Sequence, residues 1–499
     1  MADSRIAVIQ SGQVLRAGLG HPEHADVLVR DGEIVAIGRD LPVPDGAEII
    51  DASGFLLHPG LINGHTHGHG PYSRGLTDNL TLELLLASGP WLNGNRTLED
   101  KYLSTAIGAA EMVLKGCTAC YDLFFEVPTV SPEGIRAAGE AYRDVGMRAV
   151  LAPMVADHPF LRSIPGLYEA LPAAVQAEID KAGAPEGAYV LGRLEETIRS
   201  WPFDRDMIRP ALGPTVPLLC TDAFMKGAAE LADEYGVGYQ THLSESKVQE
   251  ITALKRYGCS LTQHLERLGV LGPAMSAAHG VWLADDDMKR LADHGVSVSL
   301  NPGSNLRLGA GIADMRRLLD HGVTVGIGTD SASSSDNQNM YEAMRFASYL
   351  SRVQDVDRDR WVSAREAALA ATEGSARVLG FEGIGRLEPG YRADIVFIDL
   401  GSAHWLPVRN AVHQLVQAED ATAVRHVMID GRWVVRDRRL LTVDLDALRG
   451  RVERAILRIE EAGAAAHDLF RRIEPIVTSF CPGLARTPHH VHRYAGSCC

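Results

Sequence analysis

The sequence predicts an α/β protein, a (β/α)8 TIM barrel with a small β-sandwich module built from both chain ends. Short apolar, β-rich runs alternate with helical stretches through the middle of the chain, which is typical of parallel βα units. Strand pairs with hairpin dipeptides occur near both ends. About eight βα units in roughly 320 residues favour a closed barrel over the alternative, a doubly wound open sheet.

The β module is predicted from two distant stretches. "ADVLVRDGEIVAIG" contains two alternating runs joined by the Asp-Gly dipeptide at Asp31, which suits a tight hairpin turn with positive φ. "ADIVFIDL" and "VRHVMIDGRWVVRD" show the same pattern later in the chain, with a second Asp-Gly dipeptide at Asp430. We expect residues 1–59 and 384–440 to combine into one sandwich module.

The barrel is predicted to span residues 60–383. Its strands are β-rich runs: "RAVLAPMVAD", "VGYQTHLSES", "MSAAHGVWL", "VSVSLNP" and "VTVGIGTDSAS". Segments between them, such as "KVQEITALKRYG" and "DDDMKRLADHG", place apolar residues at helical spacing and glycine at the expected helix end.

Residues 441–499 are predicted to form a helical C-terminal extension. Apolar positions recur every three or four residues in "LDALRGRVERAILRIEEAGAAAHDLFRRIEPIV". We expect this extension to lie on the barrel or on another subunit. The last stretch carries His489, His490 and His492, and so short and polar a tail is more typical of surface than of a metal site.

Composition limits the classes of function. The 499 residues are 46% hydrophobic and 23% charged, as in an ordinary globular protein. A formal net charge of −15 argues against broad contact with nucleic acid or anionic membranes. The amino terminus lacks the pattern of a secretory signal, and no uninterrupted apolar segment is long enough to span a bilayer. We therefore expect a cytoplasmic protein.

The cysteines indicate reduced thiols. Seven cysteines are few and scattered for this length, which suits a cytosolic protein. Cys117 and Cys120 form a C-x-x-C pair, but neither a second pair nor a nearby histidine group completes a structural zinc site. We predict ordinary buried thiols at these positions, with redox chemistry as the alternative.

Histidines and acidic residues follow several predicted strands. His65 and His67 come after "FLLHPGLIN" and share one strand face, because side chains alternate with period two. Residues of the same kind end three further strands: His242 with Glu245, His279, and Asp330. The carboxyl ends of barrel strands meet at one face, so these side chains would converge. Each histidine alone would more often be a core residue, but together they have the composition of an open catalytic metal site.

These motifs resemble those of the amidohydrolase superfamily, in particular its mononuclear metal aminohydrolases, which include S-adenosylhomocysteine and guanine deaminases and triazine hydrolases. The resemblance runs in order through "HPGLINGHTH", "HLSES", "AAHGVWL", "NPGSNLRLGAG", "GIGTDSASSSDNQNMYEAMR" and "GRLEPGYRADIVFIDL". It implies one divalent ion, Zn2+ or Fe2+, held by His65, His67, His242 and Asp330. The binuclear branches of the superfamily need a bridging lysine, usually at the end of the fourth strand. The candidate fourth strand here, "IRPALGPTVPLLC", contains no lysine, so the resemblance implies one metal ion rather than two.

The resemblance also implies the reaction. A metal ion lowers the pKa of bound water to about 7. Asp330 would accept a proton as the water attacks an sp2 carbon, while Glu245 would hand a proton to the ring nitrogen and then to the leaving amine. His279 would orient or polarise near the metal. The products are a carbonyl compound and ammonia.

Five residues are candidate substrate contacts: Glu83, Thr215, Asn305, His69 and Trp91. Glu83 falls where nucleoside-type deaminases keep a glutamate for ribose hydroxyls, and an exposed helix glutamate is the alternative. Thr215 stands where those enzymes have a histidine, which argues against adenosine-like substrates. Asn305 lies in "NPGSNLRLGAG". His69 matches no family ligand and is interpreted as pocket lining or plain loop polarity, and Trp91 as a stacking partner or a core residue.

The sequence therefore predicts a metal-dependent hydrolase that deaminates an amino-substituted N-heterocycle: a purine, pterin, pyrimidine or triazine. One alternative keeps the metal and cleaves another C–N or C–Cl bond, in a urea, amide, carbamate or chloro-triazine. The alternative of another class is a non-catalytic barrel scaffold. The expected partner is a small-molecule substrate, with no nucleic acid and no membrane, and the resemblance favours a homo-oligomer.

Overall fold

The computed structural model of the protein describes residues 5–16, 18, 20–489 and 491. Of the residues considered above, His490, His492, Cys498 and Cys499 lie outside the described residues.

The strands of the described chain are β1 (Ile6–Val14), β2 (Glu23–Arg30), β3 (Glu33–Gly38), β4 (Glu48–Asp51), β5 (Phe55–Pro59), β6 (Leu61–His67), β7 (Cys117–Phe125), β8 (Arg148–Val155), β9 (Ile208–Pro210), β10 (Gly213–Pro214), β11 (Tyr239–Leu243), β12 (Met275–His279), β13 (Ser297–Leu300), β14 (Val325–Ile327), β15 (Asp330–Ser331), β16 (Ile395–Asp399), β17 (Val424–Ile429), β18 (Arg432–Arg436) and β19 (Arg439–Leu440).

The α-helices are α1 (Leu82–Ala87), α2 (Gly89–Asn93), α3 (Leu98–Leu114), α4 (Pro132–Val145), α5 (Phe160–Ser163), α6 (Ala173–Ala182), α7 (Gly187–Arg199), α8 (Asp222–Tyr235), α9 (Lys247–Tyr257), α10 (Leu261–Leu268), α11 (Asp285–Asp293), α12 (Pro302–Arg307), α13 (Met315–Asp320), α14 (Met340–Gln354), α15 (Ala364–Leu369), α16 (Ser375–Leu379), α17 (Ala411–Gln417), α18 (Leu445–Ala462) and α19 (Ala464–Ala485). A π-helical turn, Ala370–Gly374, joins α15 to α16.

Strands from both chain ends share one mixed sheet. Its order within the described residues is β19-β18-β17-β16-β5-β1-β2-β3, with β4 beside β1. The two ends meet where β5 pairs antiparallel with β16, Leu57 opposite Phe397. Both predicted hairpins are confirmed, because β2 pairs with β3 and β17 with β18 across Asp31 (φ 48°) and Asp430 (φ 53°).

The middle of the chain forms two parallel sheets. One has the order β10-β8-β7-β6-β15, with β9 beside β8, and the other has the order β11-β12-β13-β14. A parallel bridge between Leu212 and Tyr239 links them. A single large apolar cluster runs through both sheets and the helices around them. The predicted α/β class with parallel strands is therefore confirmed.

Two helices show how the local sequence sets the βα units. Ser246 caps α9, its side chain accepting a hydrogen bond from the amide of Gln249, and Gly258 ends the helix with φ 71°. In α11 the carboxylate of Asp287 accepts from the amide of Ala284 at the helix start. Both helices lie where their apolar spacing predicts them.

The C-x-x-C pair lies in strand β7 and is fully buried. Both thiols are free, and burial raises the pKa of Cys117 to about 12. A thiol in such surroundings is not a reactive thiolate. The prediction of ordinary buried thiols is confirmed.

The C-terminal helices lie against the protein body. Arg458 of α18 pairs with Asp100 at the start of α3. Apolar residues of α19, such as Val477, share a cluster with Leu84 of α1 and Val248 of α9. In the part of the chain that the structure describes, no helix combines the length and apolar character that a membrane span needs.

Candidate metal centre

Four strands carry five of the six residues expected to meet at the site. His65 and His67 lie at the carboxyl end of β6, His242 in β11, His279 at the end of β12 and Asp330 at the start of β15. No more than 7% of the surface of any of them is exposed. The structure thus brings all five together in one buried cluster.

The backbone at two of these strand ends is left-handed. His279 has φ 75° and Asp330 has φ 63°, a conformation that costs a non-glycine residue about 1–3 kcal/mol. Gly328 allows the segment between β14 and β15 to approach β6, since a Cβ there would lie 2.7 Å from the backbone N and O of His65. The fold therefore holds these side chains in positions that the local sequence alone would not favour.

The ring nitrogens converge on one carboxylate oxygen. Oδ1 of Asp330 lies 3.0 Å from Nε2 of His67 and 3.4 Å from Nε2 of His65. Nε2 of His242 lies 3.4 Å from Nε2 of His67. Two overlapping triads have ligand atoms within 4.8 Å of one another: His65, His67 and His242, and His65, His279 and Asp330.

A hydrogen bond at Nδ1 fixes the tautomer of each of the four imidazoles. The acceptors are Oε1 of Gln240 for His65 (2.6 Å), the carbonyl of Leu123 for His67 (2.6 Å), the carbonyl of Thr215 for His242 (2.6 Å) and Oδ1 of Asn305 for His279 (2.8 Å). Carbonyl oxygens only accept, so Nδ1 carries the proton and the Nε2 lone pair faces inward. This is the arrangement of metal-ligating histidines.

The donor set fits a divalent metal ion. Nε2 of His65, Nε2 of His279 and Oδ1 of Asp330 are buried and have no hydrogen-bond partner among the described residues. Leaving such atoms unsatisfied is costly, and an ion bound by His65 and Asp330 removes that cost for two of the three atoms. Burial lowers the pKa of His65 and of His242, which keeps these imidazoles in the neutral form that binds metal.

The second oxygen of Asp330 is held by two hydroxyls. Oγ of Ser304 donates to Oδ2 at 2.5 Å and Oγ of Ser334 at 2.7 Å. Although burial raises the pKa of Asp330, the neighbouring imidazoles of His65 and His67 outweigh it and hold the pKa well below the usual range. Asp330 is therefore an anionic ligand candidate whose carboxylate cannot rotate freely.

Glu245 forms a second carboxylate centre beside this cluster. It is 2% exposed, and its Oε1 lies 3.6 Å from Nδ1 of His279. Burial, with the negative charges of Asp330 and Glu83 nearby, raises the pKa of Glu245 well above the usual range. Burial lowers the pKa of His279 to about 4. The pair is thus an acid that keeps its proton to higher pH than an ordinary glutamate, beside a neutral imidazole, which suits proton donation.

His69 has the opposite tautomer to the other histidines. Its Nδ1 accepts a hydrogen bond from the amide of Phe125 at 3.1 Å, so the proton sits on Nε2. Its ring centroid is 5.1 Å from that of His67. Burial lowers the pKa of His69 well below the usual range. The third histidine of the opening motif therefore lines the site without presenting a ligand lone pair on Nε2.

The other predicted contacts have different surroundings. Glu83 is buried in α1 rather than exposed, and its Oε1 accepts a hydrogen bond from Oγ of Ser246 at 2.7 Å. Thr215 and Asn305 both hold histidine Nδ1 atoms, Thr215 through its backbone carbonyl. The Trp91 ring stacks on His467 of α19, with centroids 4.2 Å apart, and so lies against the C-terminal helix.

Several residues of the site were not among the predicted ones. Gln240 shares a strand face with His242, so the period-two pattern of β11 offered a signal for it. Ser334 and the carbonyl of Leu123 carry no such signal, because their contacts with Asp330 and His67 are set by the tertiary fold.

A buried cluster of imidazoles and one carboxylate at the ends of parallel strands, with an acid beside it, defines a candidate mononuclear metal centre in an α/β protein. The model of the amidohydrolase family matches residues 56–434. The chain belongs to the amidohydrolase family.

Curated relatives extend this similarity over most of the chain. A 5-methylthioadenosine/S-adenosylhomocysteine deaminase of Desulforudis audaxviator is 36% identical over 443 residues, which cover 88% of this chain and 95% of the relative. A 5'-deoxyadenosine deaminase of Methanothermobacter thermautotrophicus is 31% identical over 468 residues, covering 93% and 99% of the two chains.

Solved structures show the same fold. An adenosine deaminase from Xanthomonas campestris with bound zinc superposes with a TM-score of 0.81 at 26% identity, covering 91% of this chain and 98% of its own. Atrazine chlorohydrolase from Arthrobacter aurescens TC1, complexed with zinc, superposes with a TM-score of 0.80 at 26% identity, covering 90% and 100%.

Proposed function

We propose that this protein is a metal-dependent aminohydrolase that deaminates an amino-substituted N-heterocycle, a purine, pterin, pyrimidine or triazine. One observation carries the proposal: Glu245, a buried acid with a raised pKa, lies beside a cluster of inward-facing Nε2 atoms and Asp330. A leaving amine needs a proton, and Glu245 is placed to supply it. The deaminase names of the two curated relatives support the same reaction class.

The proposed ligands of one divalent ion are His65, His67, His242 and Asp330. Imidazole nitrogen and carboxylate oxygen suit both Zn2+ and Fe2+. We favour Zn2+, because the two solved relatives contain zinc. Such an ion supplies Lewis acidity that makes water a nucleophile at neutral pH.

The chain's own groups move the protons. Asp330 accepts a proton from the attacking water at Oδ1, while its Oδ2 stays bound to Ser304 and Ser334. Glu245 donates its proton to the ring nitrogen, takes up the proton of the added hydroxyl and hands it to the amino group as the C–N bond breaks. The proton held by Asp330 then returns to Glu245. His279, anchored by Asn305, orients or polarises the substrate near the metal. Water adds, ammonia leaves and the ring keeps a carbonyl.

The substrate side of the proposal concerns five residues. Glu83 accepts hydrogen bonds from donor groups of the substrate, and the Nε2–H of His69 donates to it. Thr215 and Asn305 shape the pocket through the histidines that they anchor. Trp91, whose ring stacks on His467 of α19, is proposed as a stacking partner for the substrate ring.

The architecture proposed for this function is a closed (β/α)8 barrel over 60–383. The bridge between Leu212 and Tyr239, and the pairing of β15 with β6, support closure of the two parallel sheets into one barrel. Segments 1–59 and 384–440 form the β-sandwich, and 441–499 forms the helical extension. We further infer a cytoplasmic homo-oligomer, the oligomer being what the family resemblance favours. The net charge of −15 argues against binding to nucleic acid or to an anionic membrane.

Ammonia release by the zinc-loaded protein tests the function. The substrate panel comprises adenosine-type nucleosides, aminopurines, pterins, aminopyrimidines and aminotriazines. We expect release from one ring class only, with kcat/KM of about 10^4 M⁻¹s⁻¹ or more for the best substrate. A metal-loaded protein that releases ammonia from no member of the panel would overturn the proposal.

The second candidate is hydrolysis of another C–N bond or of a C–Cl bond. Thr215 supports it, because the histidine that nucleoside deaminases present to their substrate is replaced there. Chloride release from chloro-triazines, measured beside ammonia release, separates the two activities. The third alternative, a non-catalytic barrel scaffold, would need no metal ion. About one metal ion per chain, together with turnover, would reject it.

Gln240 supports the centre from behind His65. Replacing Gln240 with leucine removes the acceptor that fixes the His65 tautomer, and we expect zinc affinity to fall by about 10–100-fold. Competition against a chelator measures this change. Ser276→Ala is the control. Ser276 accepts a hydrogen bond from the Gln240 amide, and among the described residues it forms no hydrogen bond with a histidine. Equal zinc affinity in the leucine variant and the wild type would contradict the assignment of His65.

A further inference from the structure

Three consecutive residues join β11 to α9, and each is tied to the first turn of that helix. Oγ of Ser244 donates to Oε1 of Glu250 at 2.5 Å. The amide of Glu245 donates to Oε1 of Gln249 at 2.8 Å. Oγ of Ser246 accepts from the amide of Gln249 at 3.2 Å. The position of Glu245 therefore depends on how this segment is held against α9.

Ser246 makes a second contact that leaves the segment. Its hydroxyl donates to Oε1 of Glu83 at 2.7 Å, and both side chains are 6% exposed. The hydroxyl thus accepts from α9 and donates to α1 at the same time. A hydrogen bond between a buried hydroxyl and a carboxylate is stronger than one between neutral groups.

We propose that Ser246 is a positioning residue that couples the carboxylate of Glu83 to the segment carrying Glu245. The inference rests on the proposed function, in which Glu83 binds substrate donors and Glu245 supplies protons. Oε1 of Glu83 is occupied by Ser246, and Oε2 has no hydrogen bond among the described residues. A substrate group that donates a hydrogen bond to Oε2 therefore binds a carboxylate that is already linked to residues 244–246, the segment that carries Glu245.

The packing around this link favours such coupling. α1 and α9 are both held by α19, since Leu84, Val248 and Val477 belong to one apolar cluster. Burial, together with the charge of Glu83, raises the pKa of Cys481 in α19 to about 12. Because the two helices are fixed to a common support, a change at Glu83 is passed to residues 244–246 rather than absorbed by helix movement.

Ser246→Ala removes the link, and Ser260→Ala is its matched control. Ser260 also caps a helix, α10, through the amide of Gln263 (3.1 Å) and also donates to a carboxylate, Asp287 (2.5 Å), but it lies outside the site. Ammonia release from the best substrate gives kcat and KM, and thermal melting gives stability. We expect kcat/KM to fall about 10–100-fold in Ser246→Ala and less than about twofold in Ser260→Ala, with similar losses of Tm.

Two further variants separate positioning from capping. Ser246→Thr keeps the hydroxyl and is expected to restore kcat/KM to within about threefold of the wild type. Glu83→Gln combined with Ser246→Ala is expected to lose far less than the product of the two single effects. Equal kcat/KM losses in Ser246→Ala and Ser260→Ala, or single effects that multiply, would overturn the coupling.

Amide hydrogen exchange tests the link without turnover. In Glu83→Ala we expect the amides of Glu245 and Gln249 to exchange at least about fivefold faster, although Glu83 lies in another helix. Asp287→Ala is the control and should speed exchange only at the starts of α10 and α11. Unchanged exchange at 245–249 overturns the inference even if the protein deaminates heterocycles, whereas faster exchange without any ammonia release overturns the proposed function alone.

Discussion

Asp330→Asn is expected to reduce ammonia release by at least about 10^3-fold and to weaken metal binding. The asparagine side chain keeps the shape of the carboxylate but loses its charge and its capacity to accept a proton at Oδ1. Two of the nearest groups to that oxygen, Nε2 of His65 and of His67, then lack the anion that faces them. Both proposed roles of Asp330, ligand and proton acceptor, fail together.

Metal content per chain and steady-state ammonia release measure the two roles. Asp287→Asn is the matched control, because Asp287 is also a buried carboxylate with serine and amide donors but lies at the start of α11. We expect that control to retain both metal and activity within about twofold of the wild type. An Asp330→Asn variant with full turnover would reject the assigned site, whatever its metal content.

The α/β class with parallel strands, and the meeting of His65, His67, His242, His279 and Asp330, could be predicted because their signals are local. An H-x-H pair on a strand places both rings on one face whatever the tertiary structure, so His65 and His67 were visible in the sequence. Asp-Gly dipeptides between alternating runs specify hairpins by their φ preference alone. The end of a parallel strand is also a local feature, and it marks His242, His279 and Asp330.

The remaining parts of the site depend on contacts between distant segments. The sequence predicts a stacking or core residue at Trp91, and only the position of α19 shows that the ring stacks on His467. The bond between Ser246 and Glu83 spans 163 residues, and no periodicity predicts it. The same holds for His69, whose proton position is set by the amide of Phe125. Tautomers and hydrogen-bond partners require the folded chain.

Strain at the strand ends shows why the local sequence could not give the geometry. His279 and Asp330 adopt left-handed φ values, which are uncommon for residues other than glycine. The surrounding sheet and the buried hydrogen bonds to Asn305, Ser304 and Ser334 stabilise these conformations. Strain of this kind is common where side chains are pre-organised for function.

Glu245→Gln is expected to lower kcat/KM by about 10^2–10^4-fold while leaving metal content unchanged. Glutamine is nearly isosteric, so the position beside His279 is kept, but it has no acidic proton to donate. The raised pKa of Glu245 means that the acid stays protonated to higher pH than an ordinary glutamate. The wild-type rate should therefore fall as pH rises through that raised value, and the glutamine variant should lose this basic limb of the profile.

Stability should move in the opposite direction to activity in this variant. A carboxyl group whose pKa is raised on folding stabilises the native state fully only below its unfolded pKa of about 4, and this contribution is lost as pH rises through the folded value. Glutamine carries no charge to bury, so the Tm of Glu245→Gln should equal or exceed that of the wild type at pH 8. A buried acid that is kept for catalysis costs stability, and its neutral isostere recovers that stability. A lower Tm in Glu245→Gln, together with an unchanged pH profile of the rate, would therefore mean that Glu245 is a structural residue.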